Sequence, residues 1–248
     1  MGSLQTISTI IPSFRSKDLL EISIQSMEKF CPSNLKLNHI IVENSNDTSY
    51  KNDILRLSKN IIWINNDTSA IGSEANAEAI IVGLKSVADE MVFMFHCDVC
   101  VTSDVFFELM IKKHEEGNVM VGTLFDKNID RINAIHISGL LVETKIAKSV
   151  NYMPCRKSDK YMDVGDELTE YCRLKNLRHF CFENTYNDRA CSSSNKYDNF
   201  NVDKCLDDNG DVMFMHLGRG IPKTQNKYTN EKRVLLNGWT KFCRENIL

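Results

Sequence analysis

The sequence of 248 residues predicts an α/β fold in one domain, 1–248, with a mostly parallel central sheet flanked by helices. Two observations predict it. Short apolar runs rich in β-branched residues alternate with segments of helical period through the first half, and the connections between them are short. Strands that follow one another in this way need crossover connections, which place helices on both faces of a parallel sheet. A chain of this length can bury such a core.

The first half supplies four predicted strands, each an apolar run that ends in polar or turn-forming residues. The strands are predicted at 6–11, 38–43, 60–65 and 91–95, and the helices at 17–30, 50–59, 73–88 and 103–116. Pro12 ends the first strand, and Asp18 lies near the start of the helix that follows. Ser103 or Asp104 is the expected N-cap of the fourth helix.

The second half is less regular. It contains the apolar runs VMVGTLF and AIHISGLLVE, and then the helical segment GDELTEYCRLKNL. Residues 184–211 are rich in Asn, Asp and Ser without a clear period, which predicts a functional lid or a disordered loop. The segment KYTNEKRVLLNGWTKFCREN predicts a final, partly amphipathic helix.

Composition excludes several classes of protein. The net charge is −3 with both signs interspersed, so no broad basic surface is available and no nucleic-acid partner is expected. No apolar segment approaches the roughly 20 residues that span a bilayer, and the N-terminus lacks a signal-peptide pattern. We expect a cytoplasmic protein without a transmembrane segment, with peripheral attachment to a membrane left open. Nine cysteines without a regular framework indicate reduced thiols.

Polar residues follow each of the four predicted strands. They are Pro12, Ser13, Phe14 and Arg15, then Glu43, Asn44 and Ser45, then Asn66 and Asp67, and finally His96 and Asp98. In open α/β sheets, ligands bind outside the carboxyl ends of the strands, so these residues predict a ligand site. Taken singly, Pro12, Ser13, Asn44 and Ser45 are equally well explained as turn formers.

Two histidines and an aspartate indicate a metal. His96, Cys97 and Asp98 end the apolar run MVFMF, and His216 ends a second run before a Gly-Arg-Gly turn. Imidazole and carboxylate together suit a divalent cation that holds a diphosphate, with Mn²⁺ favoured over Mg²⁺ if His96 is a ligand. A zinc site built from cysteines is the weaker alternative because their spacing is irregular; its candidates are Cys97, Cys100, Cys181, Cys191 and Cys205.

Taken in order along the chain, the segments quoted below resemble those of the family 2 glycosyltransferases over roughly residues 6–220. ISTIIPSFRS resembles that family's opening strand and turn, and HIIVENSNDTS its second strand, with Glu43 where an acidic residue binds the nucleoside base. FMFHCDVCVTSDVF aligns with the metal-binding DxD segment, with His96 replacing the first Asp and Asp98 keeping the second. YMDVGDELTEYCRLKNL resembles the helix that carries the catalytic base, and FMHLGRG the C-terminal histidine segment.

The resemblance implies a GT-A (Rossmann-like) fold, with a nucleotide-binding half at 1–102 and an acceptor half at 103–248. It implies a metal-dependent, inverting hexosyl- or deoxyhexosyltransferase that acts in glycan biosynthesis. Such an enzyme takes a UDP-, GDP- or dTDP-sugar, a glycan, lipid or protein acceptor, and Mn²⁺ or Mg²⁺.

The implied site residues fall into three groups. The metal ligands are Asp98, His216 and His96. The nucleotide-sugar contacts are Pro12, Ser13, Phe14, Arg15, Glu43, Asn44, Asp67, His96, Cys97 and Arg219. The first choice of catalytic base is Asp166, and Asp163 and Glu167 are the next candidates. Acidic residues at a helix start also stabilise the helix N-terminus, which is the structural alternative for Asp166 and Glu167.

Other functions are kept as alternatives. A nucleotidyltransferase on a similar sheet would need a glycine-rich loop after the first strand, but PSFRSKD has Arg15 and Lys17 and no glycine. A non-catalytic relative remains open because His96 replaces an aspartate. A dinucleotide-dependent enzyme is disfavoured since no G-x-G-x-x-G follows a strand. His136 is interpreted as a core residue.

Overall fold

The computed structural model describes residues 4–124, 130–157, 159–185, 197, 200, 202–218 and 235–248. The strands are β1 (Gln5–Ser13), β2 (Leu35–Glu43), β3 (Ile61–Asn65), β4 (Met91–Met94), β5 (Val99–Val101), β6 (Met120–Leu124), β7 (Ile135–Glu143), β8 (Cys155–Lys157), β9 (Lys160–Met162), β10 (His179–Phe182), β11 (Asp203–Leu206) and β12 (Val212–His216). The helices are α1 (Lys17–Phe30), α2 (Lys51–Leu55), α3 (Gly72–Lys85), α4 (Val105–Glu115), α5 (Thr144–Ala147), α6 (Asp166–Leu174) and α7 (Leu236–Asn246).

The central sheet has seven strands in the order β10-β6-β7-β4-β1-β2-β3. Neighbouring strands pair in parallel except around β7, which is antiparallel to both β4 and β6. The predicted α/β fold with a mostly parallel sheet is therefore confirmed. A second sheet, β11-β12-β5, packs beside it, and β8 and β9 form a hairpin.

Each face of the central sheet is covered by helices, because side chains alternate along its strands. In β1, Ile7 and Ile11 belong to one buried cluster and Ile10 to the other. The first cluster includes apolar side chains of α1, α4 and α7, and the second those of α3, α5 and α6. The two layers of core hold the strand ends in fixed positions.

The structure contains several elements that the sequence did not predict. The four strands of the first half lie where the sequence places them, but β5, the hairpin β8–β9, the short helix α5 and the edge strand β10 were not predicted. The segment 184–211 contains β11, so part of it is regular, while 186–196 lies outside the described residues. Within the described residues, no helix is both long and apolar enough to cross a membrane.

Candidate active site

The turn between β4 and β5 presents His96 and Asp98 at the carboxyl end of β4. The amide of Phe95 donates to the carbonyl of Ile10 at 3.0 Å and so continues the pairing with β1. The amide of Val99 donates to the carbonyl of His96 at 3.3 Å, which closes the turn. Asp98 is 4% exposed, so its carboxylate lies inside the site rather than on the surface.

His216 reaches this turn through the second sheet. β12 pairs with β5 in antiparallel register, with His216 opposite Val99. The amide of Leu217 donates to the carbonyl of Asp98 at 3.0 Å, and His216 Nε2 lies 3.3 Å from Asp98 Oδ1. The structure therefore brings together Asp98 and His216, which lie in separate halves of the sequence.

His96, Asp98 and His216 fit a divalent cation. Their ligand atoms all lie within 4.8 Å of one another, and in the described part of the chain no cysteine joins such a group. Burial, reinforced by the neighbouring His216, lowers the pKa of His96 to about 4, so its ring is neutral near pH 7. A neutral imidazole has the lone pair that a metal requires, and one carboxylate with two imidazoles suits Mn²⁺ and the later first-row ions.

A third histidine, His136, stands beside the first two. Its ring centre lies 5.4 Å from that of His96 and 5.4 Å from that of His216. Burial lowers the pKa of His136 well below its ordinary value, and the nearby histidines lower it further. The interpretation of His136 as a core residue missed this position. Alternation in β7 indicates only that His136 lies on the face opposite the buried Ile135 and Ile137.

Asn76 is the other neighbour that sequence reasoning missed. It belongs to the second turn of α3, and its Nδ2 lies 2.9 Å from His96 Nε2. Its Oδ1 is buried without a hydrogen-bond partner among the described residues. If the Asn76 amide is turned over, Oδ1 gains a partner and accepts a hydrogen bond from His96 Nε2, which leaves the lone pair of His96 Nδ1 for a ligand.

The three candidate base residues occupy different environments. Asp166 is 1% exposed, and both of its oxygens bind Arg131, at 2.9 Å from Nε and 2.8 Å from Nη2. Asp163 is 23% exposed and touches Arg131 with one oxygen at 3.2 Å. Glu167 is 29% exposed and lies 3.4 Å from Lys157 Nζ. Burial raises the pKa of Asp166, and the Arg131 guanidinium opposes that rise.

The acidic cluster adjoins the histidines. The negative charge of Asp163 raises the pKa of His96, and the positive charge of Arg131 lowers that of His136, although burial dominates both shifts. A charge shifts the pKa of another group in this way only when the two groups are close and poorly screened by solvent. The predicted base segment therefore lies near the predicted metal segment.

Glu43 fastens the loops that follow β1 and β2. It is fully buried, and its Oε1 accepts hydrogen bonds from the amides of Arg15 at 3.0 Å and Ser45 at 3.1 Å, and from the Ser45 hydroxyl at 2.5 Å. The Tyr50 hydroxyl donates to Oε2. Arg15 adopts a left-handed backbone with φ of 49° and an exposed side chain. Such a conformation is costly outside glycine, and the Glu43 contact helps to hold it.

The remaining residues that were predicted to contact the donor differ in their exposure to solvent. Pro12, Ser13, Asn44 and Cys97 are buried, Phe14 is half-buried and Asp67 is exposed. Asn44 bridges the strand ends, since its Oδ1 accepts from Asn66 Nδ2 at 2.8 Å and its own Nδ2 donates to the carbonyl of Ala75 at 2.9 Å. Cys97 packs in the core beneath the site. Arg219 lies outside the described residues.

Solved structures share this fold. A mannosyltransferase from Pyrobaculum calidifontis, in complex with GDP-Man and Mn²⁺, aligns with a TM-score of 0.54 at 10% identity over 73% of this chain and 55% of its own. The chain has the GT-A fold.

Two further solved structures align with similar TM-scores. A 4-diphosphocytidyl-2C-methyl-D-erythritol synthase from Anaerococcus prevotii gives 0.50 at 15% identity over 72% of this chain and 87% of its own. A mycobacterial protein gives 0.51 at 12% identity over 71% and 64%. This chain spans little more than half of the mannosyltransferase. No protein-family model and no curated protein matches the sequence.

Proposed function

We propose that this GT-A chain is a metal-dependent glycosyltransferase that moves a sugar from a nucleoside-diphosphate donor to an acceptor hydroxyl with inversion at the anomeric carbon. The observation that carries the proposal is the group His96, Asp98 and His216 at the carboxyl end of β4. It lies in a fold shared with a mannosyltransferase whose structure is known in complex with GDP-Man and Mn²⁺. The bound ion would supply positive charge to the departing diphosphate.

The donor would lie across the ends of β1, β2, β3 and β4. Arg15 is exposed at the first of these ends, and a guanidinium there can hold a phosphate in two hydrogen bonds or stack on the base. Asp67 is exposed after β3 and can accept from a donor hydroxyl. We assign the buried Glu43 to positioning the Arg15 loop, because its oxygens already accept protein hydrogen bonds.

Asp163 is the base that the geometry favours. In the reaction, the acceptor oxygen forms a bond to the anomeric carbon while the bond to the diphosphate oxygen breaks, and the hydroxyl proton passes to a carboxylate. Asp166, the first choice from sequence, is enclosed and held by Arg131 at both oxygens. Asp163 is more exposed and is oriented by Arg131 through one oxygen only. We therefore give Asp163 the proton and Asp166 a positioning role.

A thermal-shift experiment tests the donor site. The wild type, Asp98→Ala and the control Asp104→Ala, at an exposed residue before α4, are heated with UDP, GDP, CDP or dTDP, with and without Mn²⁺. A ligand that binds only the folded state stabilises it by about 2.7 kcal/mol at a hundredfold excess over Kd. We expect one diphosphate to raise the melting temperature only with Mn²⁺, in the wild type and Asp104→Ala. The absence of any shift in the wild type would favour a non-catalytic GT-A protein.

A nucleotidyltransferase is the second candidate, because the synthase from Anaerococcus prevotii matches over 87% of its own length. The two reactions give different products. A glycosyltransferase releases a nucleoside diphosphate from a nucleotide sugar. A nucleotidyltransferase joins a sugar phosphate to the nucleotide of a nucleoside triphosphate and releases pyrophosphate. The loop after β1 contains no glycine to wrap a triphosphate, which favours the first reaction.

A further inference from the structure

β3 forms one edge of the central sheet and carries apolar side chains that reach the surface. It is the last strand in the sheet order, and among the strands of the described residues it pairs with β2 alone. Ile62 is 47% exposed, and Ile61, Trp63 and Ile64 are half-buried. Edge strands of monomeric proteins are commonly protected by a charged residue, a proline or a β-bulge. The strand Ile61–Asn65 contains none of these.

The pairing of β3 with β2 leaves alternate residues of β3 facing outward. The amide of Asn66 donates to the carbonyl of Glu43 at 2.8 Å, and in the parallel register this bond assigns the even-numbered residues of β3 to β2. The amides and carbonyls of the odd-numbered residues therefore point away from the sheet, and they bind no backbone group of the described residues. These residues are Ile61, Trp63 and Asn65.

The sequence of β3 is self-complementary about Trp63. When two β3 strands pair in antiparallel fashion around a two-fold axis at Trp63, Trp63 lies opposite Trp63 of the second copy and Ile61 lies opposite Asn65 of the second copy. Because these are the outward-facing residues, the two members of each pair exchange both N–H···O bonds. Between them, Ile62 lies opposite Ile64 of the second copy in a non-hydrogen-bonded pair, in which side chains come closest. The exposed apolar side chains thus cover one another.

Charges outside the strand favour the same register. Lys59 and Asp67 flank β3, and both are exposed. Continued past both ends of the strand, the register places Lys59 opposite Asp67 of the second copy, and the two-fold axis repeats this pair at the other end. A register shifted by one hydrogen-bonded pair would place Lys59 opposite Asn65 or Ser69 instead. Opposite charges across two strands stabilise their pairing, so the charges select the register centred on Trp63.

We propose that β3 is the interface of a homodimer, in which two copies of this chain join their central sheets by antiparallel pairing of β3 about Trp63. The proposed function is not needed for this inference. Pairing also brings Lys59 of the second copy to the carboxyl end of β3, beside the proposed donor site. The carboxylate of Asp67 has two oxygens, so it can bind this lysine and a donor hydroxyl at the same time.

Analytical ultracentrifugation of the full chain over a dilution series tests the proposal. We expect the wild type to reach twice the chain mass as its concentration rises. Ile62→Lys places an ammonium group against Ile64 of the second copy, so the dissociation constant should rise about a hundredfold or more. Leu174→Lys is the matched control, because Leu174 is 79% exposed on α6, which packs on β7. A wild type that stays monomeric at the highest concentration overturns the proposal and leaves this edge to a strand of another protein.

Charge reversal tests the register. Lys59→Asp places two carboxylates opposite each other at both ends of the paired strands, so the dissociation constant should rise about tenfold. The double variant Lys59→Asp with Asp67→Lys restores both ion pairs and should return the constant to that of the wild type. A double variant that dimerises as weakly as Lys59→Asp, or a single variant that dimerises like the wild type, overturns the proposed register.

Hydrogen exchange of the wild type, followed by two-dimensional NMR, needs no variant to fold. The outward amides of Ile61, Trp63 and Asn65 should exchange about tenfold or more slowly in the concentrated dimer than in the dilute monomer. The amides of Ile62 and Ile64 bind β2 and should be protected at both concentrations. A dimer whose outward amides exchange as fast as those of the monomer joins through another face, which overturns the proposal.

Discussion

Arg131 holds Asp166 in a bidentate ion pair that is almost closed to solvent. Its Nε and Nη2 lie 2.9 Å and 2.8 Å from the two carboxylate oxygens, and the side chains of Arg131 and Asp166 are 9% and 1% exposed. Asp166 Oδ2 also accepts from the amide of Asp163 at 2.8 Å. The pair joins the segment before β7 to the start of α6, and it presents Asp163 at the edge of the site.

Substitutions of the two aspartates should therefore have opposite consequences. Asp166→Asn takes one partner from a buried ion pair, so the free energy of unfolding should fall by about 3 kcal/mol. Asp163→Asn, at a residue 23% exposed, should cost about 1 kcal/mol or less but reduce the transfer rate about a hundredfold or more. Urea unfolding and a transfer assay with the donor found by thermal shift measure both effects. A stable, inactive Asp166→Asn beside an active Asp163→Asn would reverse the two roles.

Local patterns were sufficient for the elements that bear the first half of the site. The runs at 6–11, 38–43, 60–65 and 91–95 are long enough to show their character, and all four are strands. The fold class alone predicts that the polar residues after these strands lie together at one edge of the sheet. By contrast, β5 has three residues, too few for any period, yet its pairing with β12 is what delivers His216 to Asp98.

The third histidine and the acidic cluster depended on tertiary information. Alternation places His136 opposite Ile135 and Ile137, but the face that holds the site depends on β7 running antiparallel between β4 and β6. No short-range pattern specifies that direction. Likewise, Asp166 fits a helix start in any sequence, and its enclosure depends on Arg131, which lies far from it along the chain.

Glu43→Gln separates positioning from direct recognition of the nucleoside base. Because the Glu43 carboxylate accepts from Arg15, Ser45 and Tyr50, the amide should lower the free energy of unfolding by about 1–3 kcal/mol and disturb the Arg15 loop. Affinity should then fall by a similar factor for every nucleoside diphosphate, as measured by calorimetry. Asp67→Asn, at an exposed strand end, is the matched control for stability. A change in the order of preference among UDP, GDP, CDP and dTDP would instead indicate that Glu43 contacts the base.

Glu28 should give part of the stability a dependence on pH. Its Oε1 lies 3.0 Å from Nε2 of the fully buried His39, and this hydrogen bond lowers the pKa of Glu28 below its ordinary value of 4.5. The contribution is present above that value and is lost as the pH falls through the folded-state pKa. Glu28 is 38% exposed, so the contribution should be about 1 kcal/mol or less.

Urea unfolding of the wild type and Glu28→Gln at several pH values measures this contribution. The wild type should be the more stable at pH 7, and the difference should shrink in acid. Glu115→Gln, at an exposed residue of α4, is the control and should show no such trend. A difference between wild type and Glu28→Gln that stays constant down to pH 3 would mean that the His39 contact does not perturb the carboxyl.

Two glycines with positive φ offer a matched test of how β7 and β12 hold the site. Gly139 and Gly72 have φ of +73° and +58°, so alanine is strained at both. A Cβ at Gly139 would lie 2.7 Å from the ring of Phe214, whereas a Cβ at Gly72 has nothing within 4 Å. Gly72→Ala should therefore cost about 1 kcal/mol, and Gly139→Ala about 2–4 kcal/mol because the clash adds to the strain.

The same two glycine substitutions also test metal binding. Since Gly139→Ala should push Phe214 and the strand that carries His216 away from β7, it should weaken Mn²⁺ binding about tenfold, while Gly72→Ala leaves that affinity unchanged. Thermal unfolding and Mn²⁺ titration of the two variants measure stability and affinity side by side. If Gly139→Ala lost stability but bound Mn²⁺ like the wild type, the Phe214 ring would have yielded without moving His216, and the approach of the two strands would serve packing alone.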